Sequence, residues 1–215
     1  MLVTVALQLA QALSGVNAVF FYSSKMFAKA GIPNEYIPYA NIGTGVINVA
    51  ATIVSLFLIE KLGRRILIIY PMAAMVAVFA GLTALVEINE KQNNPTLGIL
   101  TVILILVFVV CFAIGLGPIP FLYGTEVCRP EARDSVQSIG LVSNYLGNLL
   151  LSLFFPALNS VLGGYVFLIF LVLVLLNVIF FWFKMPETKN KKLEEVEKFW
   201  NIAPASEEAT ALKEP

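Results

Sequence analysis

The sequence contains no histidine and only two cysteines, Cys111 and Cys128. A Cys/His zinc site therefore lacks its ligands, and the two cysteines read as small apolar fillers. Charge is scarce as well. Asp, Glu, Lys and Arg make up 13% of the 215 residues, against about 25% in an ordinary soluble domain. Basic and acidic residues cancel, fourteen against fourteen, and no basic face carries interleaved aromatics, so nucleic acid is not an expected partner. Neither a nucleotide-binding glycine loop nor a buried acid pair occurs. No cofactor and no enzymatic chemistry are expected.

What the chain has in excess is apolar sequence, 59% of its residues, with a mean hydropathy of +0.85. A domain of this size has too much surface to hide that excess in an aqueous core. No charged side chain falls within 92–125 or within 135–183, and the second stretch is long enough for two membrane spans of about 20 residues each. Six apolar segments alternate with polar loops, at about 3–24, 36–59, 66–86, 97–124, 135–155 and 165–183. Pro156 and Gly163-Gly164 mark the turn between the last two. The expected fold is thus all-α: a six-helix transmembrane bundle over 1–184. A short amphipathic helix over 185–202 follows, capped by Thr188 or Asn190, with Leu193, Val196, Phe199 and Trp200 on one face. The polar remainder, 203–215, is expected to be disordered.

An even number of spans puts both ends of the chain on one side. Eleven basic residues fall on that side, among them Lys61, Arg64, Arg65, Arg129, Arg133 and Lys184. Lys25, Lys29 and Lys91 fall on the other. By the positive-inside rule the C-terminus is cytoplasmic. The opening Met1-Leu2-Val3-Thr4 has no basic leader and no cleavage site, and is not read as a signal peptide.

Polar residues in hydrocarbon are costly, so their placement is informative. In the second segment Asn41, Thr44, Asn48, Thr52 and Ser55 recur every three or four positions and share one helical face. The fifth segment repeats the pattern with Gln137, Gly140, Asn144, Gly147 and Asn148, and the first carries Gln8, Gln11, Ser14 and Asn17. Such stripes serve either close helix packing with hydrogen bonds across the interface or the lining of a water-filled path. Carboxamides and hydroxyls both donate and accept without formal charge, which suits a neutral polyol. An ion path would call for carboxylates or basic groups. Phe21, Tyr22, Phe112, Phe121 and Tyr145 are aromatic surfaces available to a sugar ring. In the fourth segment Gly115, Gly117, Pro118 and Pro120 break the helix, either as a plain proline kink or as the broken backbone that recurs at transporter substrate sites.

Five motifs, in order, resemble the sugar porter family of the major facilitator superfamily, and most closely the animal facilitative hexose transporters. The run from Gln8 to Ala18, QLAQALSGVNA, is similar to the family's seventh-helix QLSQQLSGxNA. The Glu60–Arg65 loop resembles E-R-x-G-R-R, and Gly115–Phe121 resembles GPGPIPW. Glu126 with Arg133 matches the acid–arginine pair that follows, and Pro186-Glu187-Thr188-Lys189 matches PETKG. The resemblance covers Gln8 to about Trp200. It implies the C-terminal half of a major facilitator fold, transporting a hexose by alternating access. The implied sugar contacts are Gln11, Asn17 and Asn48, with the ring near Gly117, Phe121 and Tyr145, and Asn144 of the fifth-segment stripe is expected to bind beside them. It assigns gating to Tyr22, Pro118 and Pro120. A cytoplasmic ion network of Glu60, Arg64, Arg65, Glu126, Arg133 and Glu187 is implied as the inner latch.

The sequence departs from the family at Ala10, Ala12, Ala113, Leu116, Phe121, Tyr145 and Asn190. Ala12 stands where a second sugar-binding glutamine is usual, and Ala113 where an acid is. Expected partners are the sugar, membrane lipid and a missing N-terminal six-helix half. The expected activity is facilitative uniport at the plasma membrane by a twelve-span carrier of which this chain is a fragment. A proton-coupled symporter and a truncated, non-transporting interaction protein are the alternatives.

Overall fold

The structure, a computed structural model, describes residues 2–29, 32–92, 95–189, 191 and 199. Helix dominates because backbone N–H and C=O groups without water must be satisfied within their own segment. The helices are α1 (Leu2–Leu13), α2 (Val16–Lys29), α3 (Ile37–Leu62), α4 (Arg64–Gln92), α5 (Pro95–Ile114), α6 (Ile119–Val127), α7 (Pro130–Leu162) and α8 (Val166–Lys184). A 3-10 turn, Gly163–Tyr165, joins the last two. Five continuous stretches are long and apolar enough to cross a membrane, and the fifth, Pro130–Lys184, holds both α7 and α8. All six expected spans are therefore present.

Two of those spans are broken. The first, read from sequence as one helix, divides into α1 and α2 at Ser14-Gly15. Gly15 has φ +82, and a Cβ there would lie 2.8 Å from the Phe170 ring. Only glycine takes that backbone without strain. Ser14 closes both ends: its hydroxyl donates to Gln11 O at 2.7 Å and accepts from the Val16 N–H at 3.4 Å. The fourth span breaks where expected, between α5 and α6. The fifth runs further than the sequence indicated. Pro156 sits inside α7, which continues to Leu162 and stops at Gly163, φ +53. A proline removes one donor, but neighbouring helices and local adjustment let a membrane helix continue through it. Residues 185–188 are not helical. Of the expected amphipathic helix and tail, residues 190, 192–198 and 200–215 lie outside the described residues.

The core is built around α4, which packs on α5 and α8, while α1 lies along α7 and α3 along α5. Phe79 of α4 meets Phe108, Phe170 and Phe167 at ring-centroid distances of 4.9, 5.9 and 6.3 Å. Lipid tails are as apolar as leucine, so close fit rather than hydrophobicity holds such helices together. The α1–α7 contact shows this. A Cβ on Gly140 would sit 3.1 Å from Gln8 Cγ, and one on Gly147 would sit 3.0 Å from Ala12 Cβ. Ala12 is thus sealed against α7 and is 1% exposed. By contrast α3 and α7 leave apolar faces uncovered, including Ile42, Val46, Val49 and Ile53 on α3 and Val142, Leu149 and Leu153 on α7.

Candidate functional site

The broken span between α5 and α6 leaves carbonyls that no helix of its own can satisfy. Two neighbours supply donors. Ser55 of α3 donates to Ile114 O at 2.6 Å. Gln11 of α1 donates through Nε2 to Leu116 O at 2.7 Å and to Gly117 O at 3.0 Å. The hinge is therefore clamped from both sides by residues that the sequence had placed in polar stripes.

From Gln11 a chain of carboxamides runs on through the bundle. Asn144 Nδ2 donates to Gln11 Oε1 at 2.8 Å and to Gln8 O at 2.9 Å. Asn148 Nδ2 donates to Asn144 Oδ1 at 2.9 Å and to Asn144 O at 3.1 Å. Asn17 Nδ2 donates to Asn148 Oδ1 at 2.6 Å. Four side chains from α1, α2 and α7 thus form one directed hydrogen-bond relay that ends on the hinge. Gln11, Asn17 and Asn148 are half-buried, whereas Asn144 is buried. Nothing in the relay carries charge. It can bind a neutral, hydroxyl-bearing solute and cannot by itself move a proton.

The other residues of the expected site are distributed unevenly. Asn48 is half-buried on α3, and its side chain makes no hydrogen bond among the described residues. Its neighbours in the stripe are committed elsewhere. Asn41 bonds Ser23 and Ser24 of α2, while Thr44 and Thr52 bond carbonyls of their own helix. Within that stripe only Asn41 and Ser55 bond to another segment among the described residues. Phe121 and Tyr145 are exposed, 40% and 66%. Pro118 and Pro120 begin α6, where a missing N–H costs nothing. The side chain of Tyr22 lies outside the described residues. Asn148 carries more of the relay than sequence reasoning gave it. Its position in the fifth-segment stripe was the available signal.

At the basic end of the bundle the charged residues meet in a different pattern from the expected six-member network. Arg64 donates from Nε and Nη2 to Glu126 Oε1, at 3.1 and 2.6 Å. Glu126 Oε2 accepts from the Thr188 hydroxyl at 2.8 Å. Glu187 does not take a guanidinium. It accepts the backbone N–H groups of Arg64 and Arg65 at 2.9 and 3.1 Å, and those of Thr188 and Lys189 at 3.0 Å each. Arg65 donates to Trp182 O at 2.6 Å. Glu60 and Arg133 are exposed and join none of these contacts. Thr188, absent from the expected set, ties the two carboxylates together.

The sugar (and other) transporter family profile matches residues 1–200. The chain belongs to that family. Chicken solute carrier family 2, facilitated glucose transporter member 1, is 38% identical over 195 residues, covering 91% of this chain and 39% of the relative. Rat facilitated glucose transporter member 3 is 38% identical over 196 residues, with the same coverage. Among solved structures, the proton:xylose symporter XylE bound to 6-bromo-6-deoxy-D-glucose is similar with a TM-score of 0.77 at 26% identity, covering 93% of this chain and 42% of that one. The inward-open form of XylE from E. coli gives the same values. The sugar-transporter chain is therefore a multi-pass membrane protein with half of a major facilitator fold, and it spans about two fifths of the relatives it matches.

Proposed function

We propose that this chain supplies the C-terminal half of the binding site in a twelve-span carrier that moves a hexose across the membrane by alternating access. The observation that carries the reading is the uncharged carboxamide relay from Asn17 to the Gly117 carbonyl, set on the hinge of a broken span. Rocking of two bundles about a central site needs one wall that recognises the solute and one backbone segment that bends. The relay is the wall, and α5–α6 is the segment. Gln11, Asn17 and Asn48 face the sugar's hydroxyls, with Phe121 and Tyr145 as apolar surfaces for its ring. Pro118, Pro120 and Tyr22 take part in gating. The basic end lies in the cytoplasm at the plasma membrane, where Arg64, Glu126, Glu187 and Thr188 latch the inner gate.

Uniport is the favoured mode, because no Asp, Glu or His occurs within any of the six spans. Likeness to a proton:xylose symporter favours the alternative, in which a group of the other half supplies the coupling. The test is uptake of labelled glucose, fructose, galactose and xylose by the complete carrier in vesicles, with and without a proton gradient. Saturable uptake of one hexose, lost in a Gln11→Ala/Asn48→Ala double variant, is expected. Equal uptake by that variant would remove the site assignment. Accumulation driven by the proton gradient would replace uniport with symport.

A further inference from the structure

We infer that at Gln11 and Asn148 the relay presents only hydrogen-bond acceptors to the solute, so that the sugar hydroxyls these two residues read act as donors, and that Asn144 is the positioning residue that imposes this polarity. The inference rests on the proposed hexose-binding role and adds the sense of the hydrogen bonds.

The two ends of a carboxamide are hard to tell apart by shape, but backbone carbonyls fix three of these four. A carbonyl can only accept. Gln11 faces Leu116 O and Gly117 O, so its nitrogen must point there; the flipped amide would press oxygen against oxygen at 2.7 Å. Asn144 faces Gln8 O and Asn148 faces Asn144 O, which fixes both in the same way. Asn17 must then donate to Asn148 Oδ1, whose own nitrogen is committed.

The consequence is a count. Of eight carboxamide N–H bonds, two each from Gln11, Asn144 and Asn148 and one from Asn17 are spent inside the protein. A single N–H, on Asn17, is left for a ligand. The oxygens are the reverse. Gln11 Oε1 and Asn148 Oδ1 each accept one bond, and an amide oxygen has room for two. Both residues are half-buried. Asn144, buried with both hydrogens spent, donates to Gln11 Oε1 and holds the relay in register.

Deoxy and deoxyfluoro D-glucoses, competing against labelled hexose uptake by the complete carrier, separate the possibilities. Fluorine replaces a hydroxyl in size and accepts weakly, but it cannot donate. At one or more ring positions, removing the hydroxyl should weaken competition about tenfold or more, and fluorine should not restore it. Gln11→Ala should abolish the penalty at such a position, which assigns it to the relay. Asn144→Asp keeps the shape and loses the N–H groups. It should reduce the hydroxyl-over-fluorine preference there to about threefold or less, with the amount of monodisperse carrier unchanged. Asn144→Ala serves as the second variant should the aspartate prevent folding.

Rescue by fluorine at every sensitive position would overturn the inference. So would an undiminished preference in both Asn144 variants. A carrier that competes with no sugar at all would overturn it together with the proposed function, and only that outcome touches both.

Discussion

The carboxylate of Glu187 accepts the backbone N–H of Arg64 at 2.9 Å and that of Arg65 at 3.1 Å, capping α4 from 123 positions along the chain. A helix start leaves its first N–H groups unpaired and carries partial positive charge, so a carboxylate there satisfies both needs. The segment after α8 is thereby fixed to the start of α4. Gly63 makes room for it: φ is +90, and a Cβ would fall 2.6 Å from Glu187 Oε2.

Two substitutions test that cap. Glu187→Gln keeps one accepting oxygen but loses the charge and the bond to the Arg65 N–H, at an expected cost of about 1 kcal/mol. Gly63→Ala adds backbone strain to a steric conflict and should cost more, about 1–3 kcal/mol. Thermal unfolding in detergent should therefore rank wild type above Glu187→Gln and Glu187→Gln above Gly63→Ala. The reverse order would mean that the glycine is dispensable.

The Arg64–Glu126 pair, 2.6 Å apart and with both side chains partly exposed, should be a weak bond of the kind a latch needs. A double-mutant cycle with Arg64→Ala and Glu126→Ala is expected to give a coupling of about 0.2–1 kcal/mol, shrinking as salt rises. A coupling of several kcal/mol, insensitive to salt, would argue for a fixed structural pair instead.

Gly15 is required for two reasons that can be separated. Gly15→Ala should destabilise by about 1–3 kcal/mol. Pairing it with Phe170→Ala relieves the clash with the ring but leaves φ at +82. The double variant should then be no more stable than Gly15→Ala, because the lost aromatic packing adds a further cost. Full recovery would show that the break between α1 and α2 is only steric.

Ser55, fully buried, gives its hydroxyl to Ile114 O at the end of α5. Ser55→Ala leaves that carbonyl unpaired, for about 1–3 kcal/mol. Because the loss falls on the hinge, uptake kinetics should change along with stability. Ser55→Cys, which retains a weak donor, should lie between the two. An alanine variant with unaltered unfolding temperature would place the hinge carbonyl in contact with water.

Much of this was readable in the chain. Charge-free stretches of membrane length specified the six spans, since a hydrocarbon slab admits little else. The motif from Gln8 to Ala18 and those around Gly63, Gly117 and Glu187 specified the family. Stripes at helical spacing identified which faces turn inward, and the family resemblance is what assigned Gln11 and Asn17 to the expected site. The same stripes could not say which amides would meet. Asn41 and Asn48 are two turns apart on one helix, yet the first is bonded to α2 and the second makes no side-chain bond among the described residues. Asn144 and Asn148 are one turn apart, yet one is sealed and the other half-open.

Spacing within a helix fixes a direction; a partner comes only from the helix that packs there. The break at Gly15, the passage of α7 through Pro156 and the turn of Glu187 from guanidinium to backbone depend on such partners. The sequence by itself therefore determined that this protein lives in a membrane with six spans, because exposing polar backbone and charge to lipid is costly, and its motifs determined the sugar transporter family. Only the tertiary structure decided which way each carboxamide points. That direction is set by backbone carbonyls: those of the α5–α6 break for Gln11, that of Gln8 in α1 for Asn144, and that of Asn144 itself for Asn148.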